Sequence, residues 1–314
     1  MAPKIVCVVG PTACGKTKLG VLLAKRYGGE VVSADSMQIY RGLTIGTAAP
    51  TEEEMEGVPH HMVAVADPAE QWSAGRYVQA AVPVVDDILR RGKLPIVVGG
   101  TGLWIDALVR GHSFAPGAAG GAVRMELQRR LAAEGIEPLL EELRKVDPQA
   151  AARLHPRDEK RVLRALEVYL ETGTTITAHN AAEAALPPRY DAVWIGLAFA
   201  ERADMRALID RRVDAMVEAG LLDEVDWLLS LGLPPEATAL QAIGYKEFLA
   251  ARAGEISVRE AVEEVKLRSR QYAKRQLTWL RRNKAIHWIL WEKERDFARA
   301  VQVSTEILSA AGVC

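Results

Sequence analysis

The chain has 314 residues, of which 49% are hydrophobic and 26% charged, and its formal net charge is −1. This composition fits a soluble globular protein, and the length fits one large domain or two smaller ones. No apolar run is long enough to cross a bilayer, and a near-zero net charge excludes whole-molecule attraction to nucleic acid, so local charge is what counts.

The N-terminus has no signal-peptide pattern and leads directly into an apolar strand, Ile5–Val9, so a cytoplasmic location is expected. Of the three cysteines, Cys7 sits in that strand, and they form no CxxC pair or even framework. The strand runs into Gly10, Pro11, Thr12, Ala13, Cys14, Gly15, Lys16 and Thr17, a complete GxxxxGK[ST] loop, and an amphipathic helix follows from Lys16 to Tyr27. Strand, loop and helix in this order make an anion site. Glycines let amides turn inward, the helix N-terminus adds positive partial charge, Lys16 adds a cation and Thr17 a hydroxyl for Mg²⁺. The loop marks a diphosphate site and does not by itself specify ATP. Cys14 inside it reads as inert packing.

The next strand, Glu30–Ala34, ends at Asp35. Asp35 fits three roles equally: a Mg²⁺ ligand, a general base, or a cap for the following turn. His60–His61 lacks further spaced ligands and reads as structural or as weak lining of the active site. A helix is expected from Ala74 to Arg91, then a strand, Pro95–Val98, and a second glycine-rich turn, Gly99-Gly100-Thr101-Gly102. Alternating strands and helices predict a doubly wound α/β core.

The pattern changes at a Gly/Ala-rich hinge, 115–122. Residues 124–173 have helical period, a turn-rich stretch runs to Pro187–Pro188, and strand Ala192–Leu197 resumes the α/β pattern. This predicts a helical insertion over 113–190 within a core made of 1–112 and 191–314, with 203–312 read as helices. Two basic surfaces stand out. One is Arg157, Lys160, Arg161 and Arg164, for which ordinary salt bridging is the plain alternative. The other is Lys266–Lys284, with eight basic residues and no acidic one, where Arg268, Arg275 and Arg282 recur on one helical face. A helix face of one sign suits phosphate contact. Tyr272 and Trp279 lie in it and suit base stacking or core anchoring, the latter favoured for Trp279.

The ordered motifs GPTACGKT (10–17), DSMQIYRGLTIGTAAP (35–50), HH (60–61), SAGRYVQ (73–79), GGTGLW (99–104), RALEVYLETG (164–173), QAIGYKE (241–247) and RQYAKRQLTWLR (270–281) together resemble the tRNA dimethylallyltransferase family over nearly the whole chain. The resemblance implies a P-loop kinase-like parallel sheet core with an inserted helical domain. It implies that the loop holds the diphosphate of dimethylallyl diphosphate with Mg²⁺, and that the acceptor is the adenosine 3′ of the anticodon, flipped into a channel from the tRNA anticodon stem-loop. Asp35 is then the general base at the exocyclic amine and Thr101 helps to hold that amine. Contacts to tRNA fall to Asp35, Ser36, Met37 and Gln38, to Thr101, to Arg124, to Lys160, Arg161, Val162, Leu163 and Arg164, and to Gln241, Ala242, Ile243, Gly244, Tyr245 and Lys246. Arg212 is a further cation for the departing diphosphate. The sequence departs from the family at Cys14, for the usual serine, and at Trp104, for the usual tyrosine, and the zinc-finger tail of eukaryotic members is not expected. A monomer without membrane attachment is expected. The rival readings are an ATP-dependent small-molecule kinase and a non-enzymatic RNA-binding module. The intact Gly15-Lys16-Thr17 and Asp35 argue against the second.

Overall fold

A computed structural model describes residues 2–115 and 121–313. The hinge expected at 115–122 falls, at 116–120, outside the described residues. The chain divides into two compact units, one built from residues up to Gly111 and from Pro188 onward, the other spanning His112–Pro187.

The first unit is built on a six-stranded sheet of order β3-β2-β4-β1-β5-β6, parallel throughout. Its strands are β1 (Lys4–Val9), β2 (Glu30–Ala34), β3 (His60–His61), β4 (Pro95–Gly99), β5 (Asp191–Phe199) and β6 (Ile286–Trp291). β1 and β4 are almost wholly apolar and β2 is buried along its whole length, because both faces of a parallel sheet are covered. The first helices are α1 (Lys16–Tyr27), α2 (Glu52–Met55), α3 (Ala74–Arg90) and α4 (Gly102–Arg110). α1 buries Leu19, Val21, Leu23 and Ala24, and Gly28 in the left-handed region ends it. α3 begins where the Ser73 hydroxyl accepts a hydrogen bond from the Arg76 amide, and it buries Tyr77, Val78, Ala81, Val85 and Ile88.

The second unit is helical: α5 (Ala122–Glu134), α6 (Ile136–Val146), α7 (Pro148–Arg153), α8 (Glu159–Thr172) and α9 (Ile176–Ala185). Its core gathers Leu127, Leu139, Leu140, Leu143, Val162, Leu163 and Leu166. α9 corrects the expectation of turns before Pro187. Its Ala-rich sequence is helix-forming, and Thr175 caps it by accepting from the Ala178 amide.

The first unit ends with α10 (Arg202–Glu218), α11 (Leu221–Ser230), a 3₁₀ turn (Thr238–Gln241), α12 (Lys246–Arg252), α13 (Val258–Leu280) and α14 (Phe297–Ala310). The helical reading of 203–312 therefore needs two corrections. Ile286–Trp291 is a strand, because a six-residue apolar run takes its conformation from the partner it pairs with, here β5. The basic segment 266–284 is helical only to Leu280, so Arg281–Lys284 lie beyond the helix. Among the described residues no helix is long and apolar enough to cross a membrane.

Candidate active site

The carboxyl ends of β1, β2 and β4 converge, where a parallel sheet presents its ligands. From β1 the chain enters the phosphate loop. Gly15 takes φ 89° at the N-terminus of α1, a conformation that favours glycine. The Lys16 ammonium folds back onto the loop and donates to the Pro11 carbonyl at 2.8 Å. The Thr17 hydroxyl makes no hydrogen bond to a described residue, which leaves it for a ligand. Cys14 is fully buried, and burial pushes its thiol up despite nearby Lys16 and Arg212, so it is no thiolate nucleophile. The Trp291 indole, at the end of β6, donates to the Cys14 carbonyl at 2.8 Å.

Arg212 reaches the loop from α10, and Nη1 donates to the Thr12 hydroxyl at 3.3 Å. Among the described residues that hydroxyl is its one hydrogen-bond partner. Burial pulls the guanidinium down, and the charge of Asp35 opposes this. A half-buried guanidinium with one neutral hydrogen-bond partner suits an anion.

Asp35 ends β2. Its Oδ1 accepts from the amides of Met37 at 2.9 Å and Gln38 at 3.4 Å, so one oxygen does cap the turn. Its Oδ2 takes no hydrogen bond from a described residue. Thr101 follows β4, and its hydroxyl accepts from the Ser36 amide at 3.1 Å and donates to the Ser36 hydroxyl at 3.4 Å. Tyr272 of α13 lies close to Thr101 and Gln276. Burial, with Asp35 nearby, pushes its phenol up to about 12. Tyr77 fixes the end of β2 from behind by donating to the Ser33 carbonyl at 3.0 Å and stacking on Trp104 at 4.4 Å between ring centres.

Sequence reasoning missed Gln276, which holds the two halves together. Its Oε1 accepts from the Thr12 amide at 2.9 Å and its Nε2 donates to the Gly100 carbonyl at 3.1 Å, with the side chain nearly fully buried. A Cβ on Gly100 would stand 2.2 Å from that Nε2, so a side chain at position 100 would displace the Gln276 amide. Nothing in the sequence distinguishes Gln276 from a polar residue of an exposed helix face.

The remaining predicted residues divide. In 241–246, Tyr245 is fully buried, with Ala242 and Gly244, while Gln241 and Lys246 are exposed. In the helical unit, Val162 and Leu163 lie in its core. Lys160 and Arg161 are exposed, Arg164 pairs with Glu167 at 2.7 Å, and Arg124 stands 3.8 Å from the same carboxylate. The plain alternative of salt bridging thus holds for Arg164. His61 bonds to Glu30 at 2.8 Å and His60 to the Val58 carbonyl at 2.9 Å, both structural contacts. Along α13 and the turn after it the cations also divide. Lys266 pairs with Asp214 and Glu263, Arg268 with Glu264, and Arg270 with Asp210. Lys274, Arg275, Arg281, Arg282 and Lys284 have no acidic partner among the described residues, and Arg275 and Arg282 lie over the rings of Tyr272 and Trp279. Trp279 is anchored, donating to Asp106 at 2.8 Å.

Residues 38–283 match the family described as IPP transferase, and residues 3–65 the family described as isopentenyl transferase. The tRNA dimethylallyltransferase of Caldanaerobacter subterraneus is 45% identical over 298 residues, 95% of each chain. The chain belongs to the tRNA dimethylallyltransferase (IPP transferase) family. Among solved members of this tRNA dimethylallyltransferase family, the full-length tRNA isopentenylpyrophosphate transferase of Bacillus halodurans superposes with a TM-score of 0.74 at 41% identity, covering 98% of this chain and 96% of its own. A eukaryotic dimethylallyltransferase acting on tRNA superposes with a TM-score of 0.84 at 28% identity, covering 98% of this chain and 80% of its own.

Proposed function

We propose that the chain transfers the dimethylallyl group of dimethylallyl diphosphate to the exocyclic amine of the adenosine 3′ of the anticodon in tRNA, releasing diphosphate. The observation that carries this reading is the bridge from Thr12 through Gln276 to Gly100, which couples an anion loop to the turn holding Thr101 beside Asp35. Donor and acceptor halves are thereby built as one frame, and alignment of two substrates needs such a frame.

An adenine amine is a poor nucleophile because its lone pair is delocalised into the ring. As the C–N bond forms and the allylic C–O bond breaks, negative charge grows on the diphosphate. Lys16, the loop amides and Arg212 stabilise that charge. The proton lost by the amine goes to the free Oδ2 of Asp35, and Thr101 steadies the amine. Among the described residues no cluster of three or more His, Cys, Asp or Glu side chains could cage a metal. The unengaged Thr17 hydroxyl fits Mg²⁺ that arrives with the diphosphate, the usual way this ion is held, and bound there it would share the charge of the leaving group. The helical unit, through Arg124, Lys160 and Arg161, and the cations of α13 and the turn after it, through Lys274, Arg275, Arg281, Arg282 and Lys284, are the surfaces for tRNA phosphates. Gln241 and Lys246 offer side chains to the same partner.

The test is to incubate the protein with labelled dimethylallyl diphosphate, Mg²⁺ and unmodified tRNA. Label should appear in tRNA and diphosphate should be released. Phosphoryl transfer from ATP to a small molecule, with no labelled tRNA, would overturn the proposal.

A further inference from the structure

Glu224 lies on α11 and its side chain is nearly fully buried. Five donors meet its carboxylate. Oε2 accepts from the Thr44 amide, the Thr44 hydroxyl and the Ile45 amide, each at 2.8 Å, and Oε1 accepts from the Gly46 amide at 2.9 Å and the Tyr245 hydroxyl at 2.5 Å. Three consecutive amides turned toward one point form a nest for an anion, and this chain supplies its own anion. Burial alone would raise the Glu224 carboxyl. The Tyr245 hydroxyl and the Gly46, Ile45 and Thr44 amides more than offset this, so the group is held below its ordinary value and stays charged.

What these donors belong to gives the cluster its meaning. Residues 44–46 are in the loop that follows Asp35, and Tyr245 lies in the 241–246 segment. The Gln38 side-chain Nε2 donates to the Thr47 carbonyl at 3.3 Å and the Ala48 carbonyl at 2.9 Å, so the same loop is tied back to the turn that Asp35 caps. Gly46 rests on the Tyr245 ring, where a Cβ would come within 2.7 Å.

We propose that Glu224 is a positioning residue for the acceptor half of the reaction, locking the 44–48 loop to the 241–246 segment and so setting the frame in which Asp35 and Gln38 meet the acceptor nucleoside. The proposal rests on the transferase reading above. Packing alone would be served by an apolar side chain at position 224. A carboxylate with five donors instead fixes a loop geometry that no neutral group can satisfy, because each stranded donor would cost a buried hydrogen bond.

The experiment compares wild type, Glu224→Gln and Tyr245→Phe in the full chain. It measures transfer kinetics for tRNA, affinity for dimethylallyl diphosphate and melting temperature. Glutamine keeps the shape, but its NH₂ group faces donors. KM for tRNA is expected to rise about tenfold with a drop in kcat, while affinity for dimethylallyl diphosphate stays at the wild-type value. Tyr245→Phe, which removes one donor of five, should move the same constants in the same direction by less. A tRNA KM unchanged in Glu224→Gln overturns the proposal. So does a loss of dimethylallyl diphosphate binding in step with melting temperature, which marks a merely structural role. If Glu224→Gln does not fold, an unchanged tRNA KM in Tyr245→Phe overturns it. A wild-type protein that transfers no label to tRNA defeats the transferase reading itself, and the proposal with it.

Discussion

The side-chain carbonyl of Gln276 accepts a hydrogen bond from the backbone amide of Thr12 at 2.9 Å. A residue of the longest described helix thereby sets the opening of the phosphate loop, and its side-chain amide nitrogen holds the Gly100 carbonyl. Replacing Gln276 with Leu strands one buried donor and one buried acceptor, at a cost of about 1–3 kcal/mol each. We expect KM for dimethylallyl diphosphate to rise by about tenfold or more with the protein still folded. Saturation kinetics with this substrate, at wild-type KM, would show that the bridge is dispensable.

Lys16→Ala should lose most transferase activity through weaker diphosphate binding and poorer stabilisation of the leaving group. Loss of one well-placed charge-stabilising donor costs about 10²–10³-fold in kcat. Single-turnover rates with labelled dimethylallyl diphosphate and tRNA measure this directly. A wild-type rate would remove the loop from the active site.

Asp35→Asn should retain both affinities and transfer slowly, by about 10²–10⁴-fold, if the free Oδ2 takes the amine proton. Asparagine can keep the turn, because its carbonyl still accepts from the Met37 and Gln38 amides. Loss of Mg²⁺ affinity with intact chemistry would instead make Asp35 a metal ligand.

The division of cations along α13 and the turn after it makes a paired prediction. Changing Arg275 and Arg282 to Gln should flatten the salt dependence of tRNA binding by about 0.7–0.9 units of log–log slope for each phosphate no longer neutralised. Arg268→Gln, which breaks a pair with Glu264, should leave that slope alone, and an exposed pair on a helix contributes only about 0.3–0.5 kcal/mol to stability. Affinity titrations at several salt concentrations distinguish them, and equal slopes for all variants would refute the assignment.

Glu30 supplies the pH test. It is nearly fully buried and bonded to Arg91, Lys93 and His61, and the Arg91 guanidinium foremost holds its carboxyl well below the usual carboxylate range. A group whose folded pKa is depressed stabilises the fold above its unfolded value, about 4.3, and that stability is lost as pH falls below it. Glu30→Gln should therefore be less stable than wild type at neutral pH, with the gap closing on acidification. Melting curves from about pH 7 to about pH 3 would contradict this if the gap stayed constant.

Local patterns in the sequence determined much of this protein. The strand, glycine-rich loop and helix at 5–27 declare an anion site because the conformation needs those residue types at those spacings, whatever surrounds them. Apolar runs next to glycine or proline turns placed β2, β4 and β5, and the change to helical period marked the inserted unit. Tertiary structure alone decided the rest. Ile286–Trp291 became a strand because β5 offered a free edge, and periodicity over six residues cannot reveal that. The Met37 and Gln38 amides engage one oxygen of Asp35, so the turn cap accounts for only half of that carboxylate. The basic run at 266–284 separated into paired and unpaired cations only when α10 brought Asp210 and Asp214 against it. Gln276 and Glu224 gave no local signal at all, since a polar side chain on a helix looks the same whether it faces water or a set of buried amides from segments far away in the chain. Hydrogen bonds between residues distant in sequence are a property of the packed fold, and in this protein they join the two halves of the candidate site.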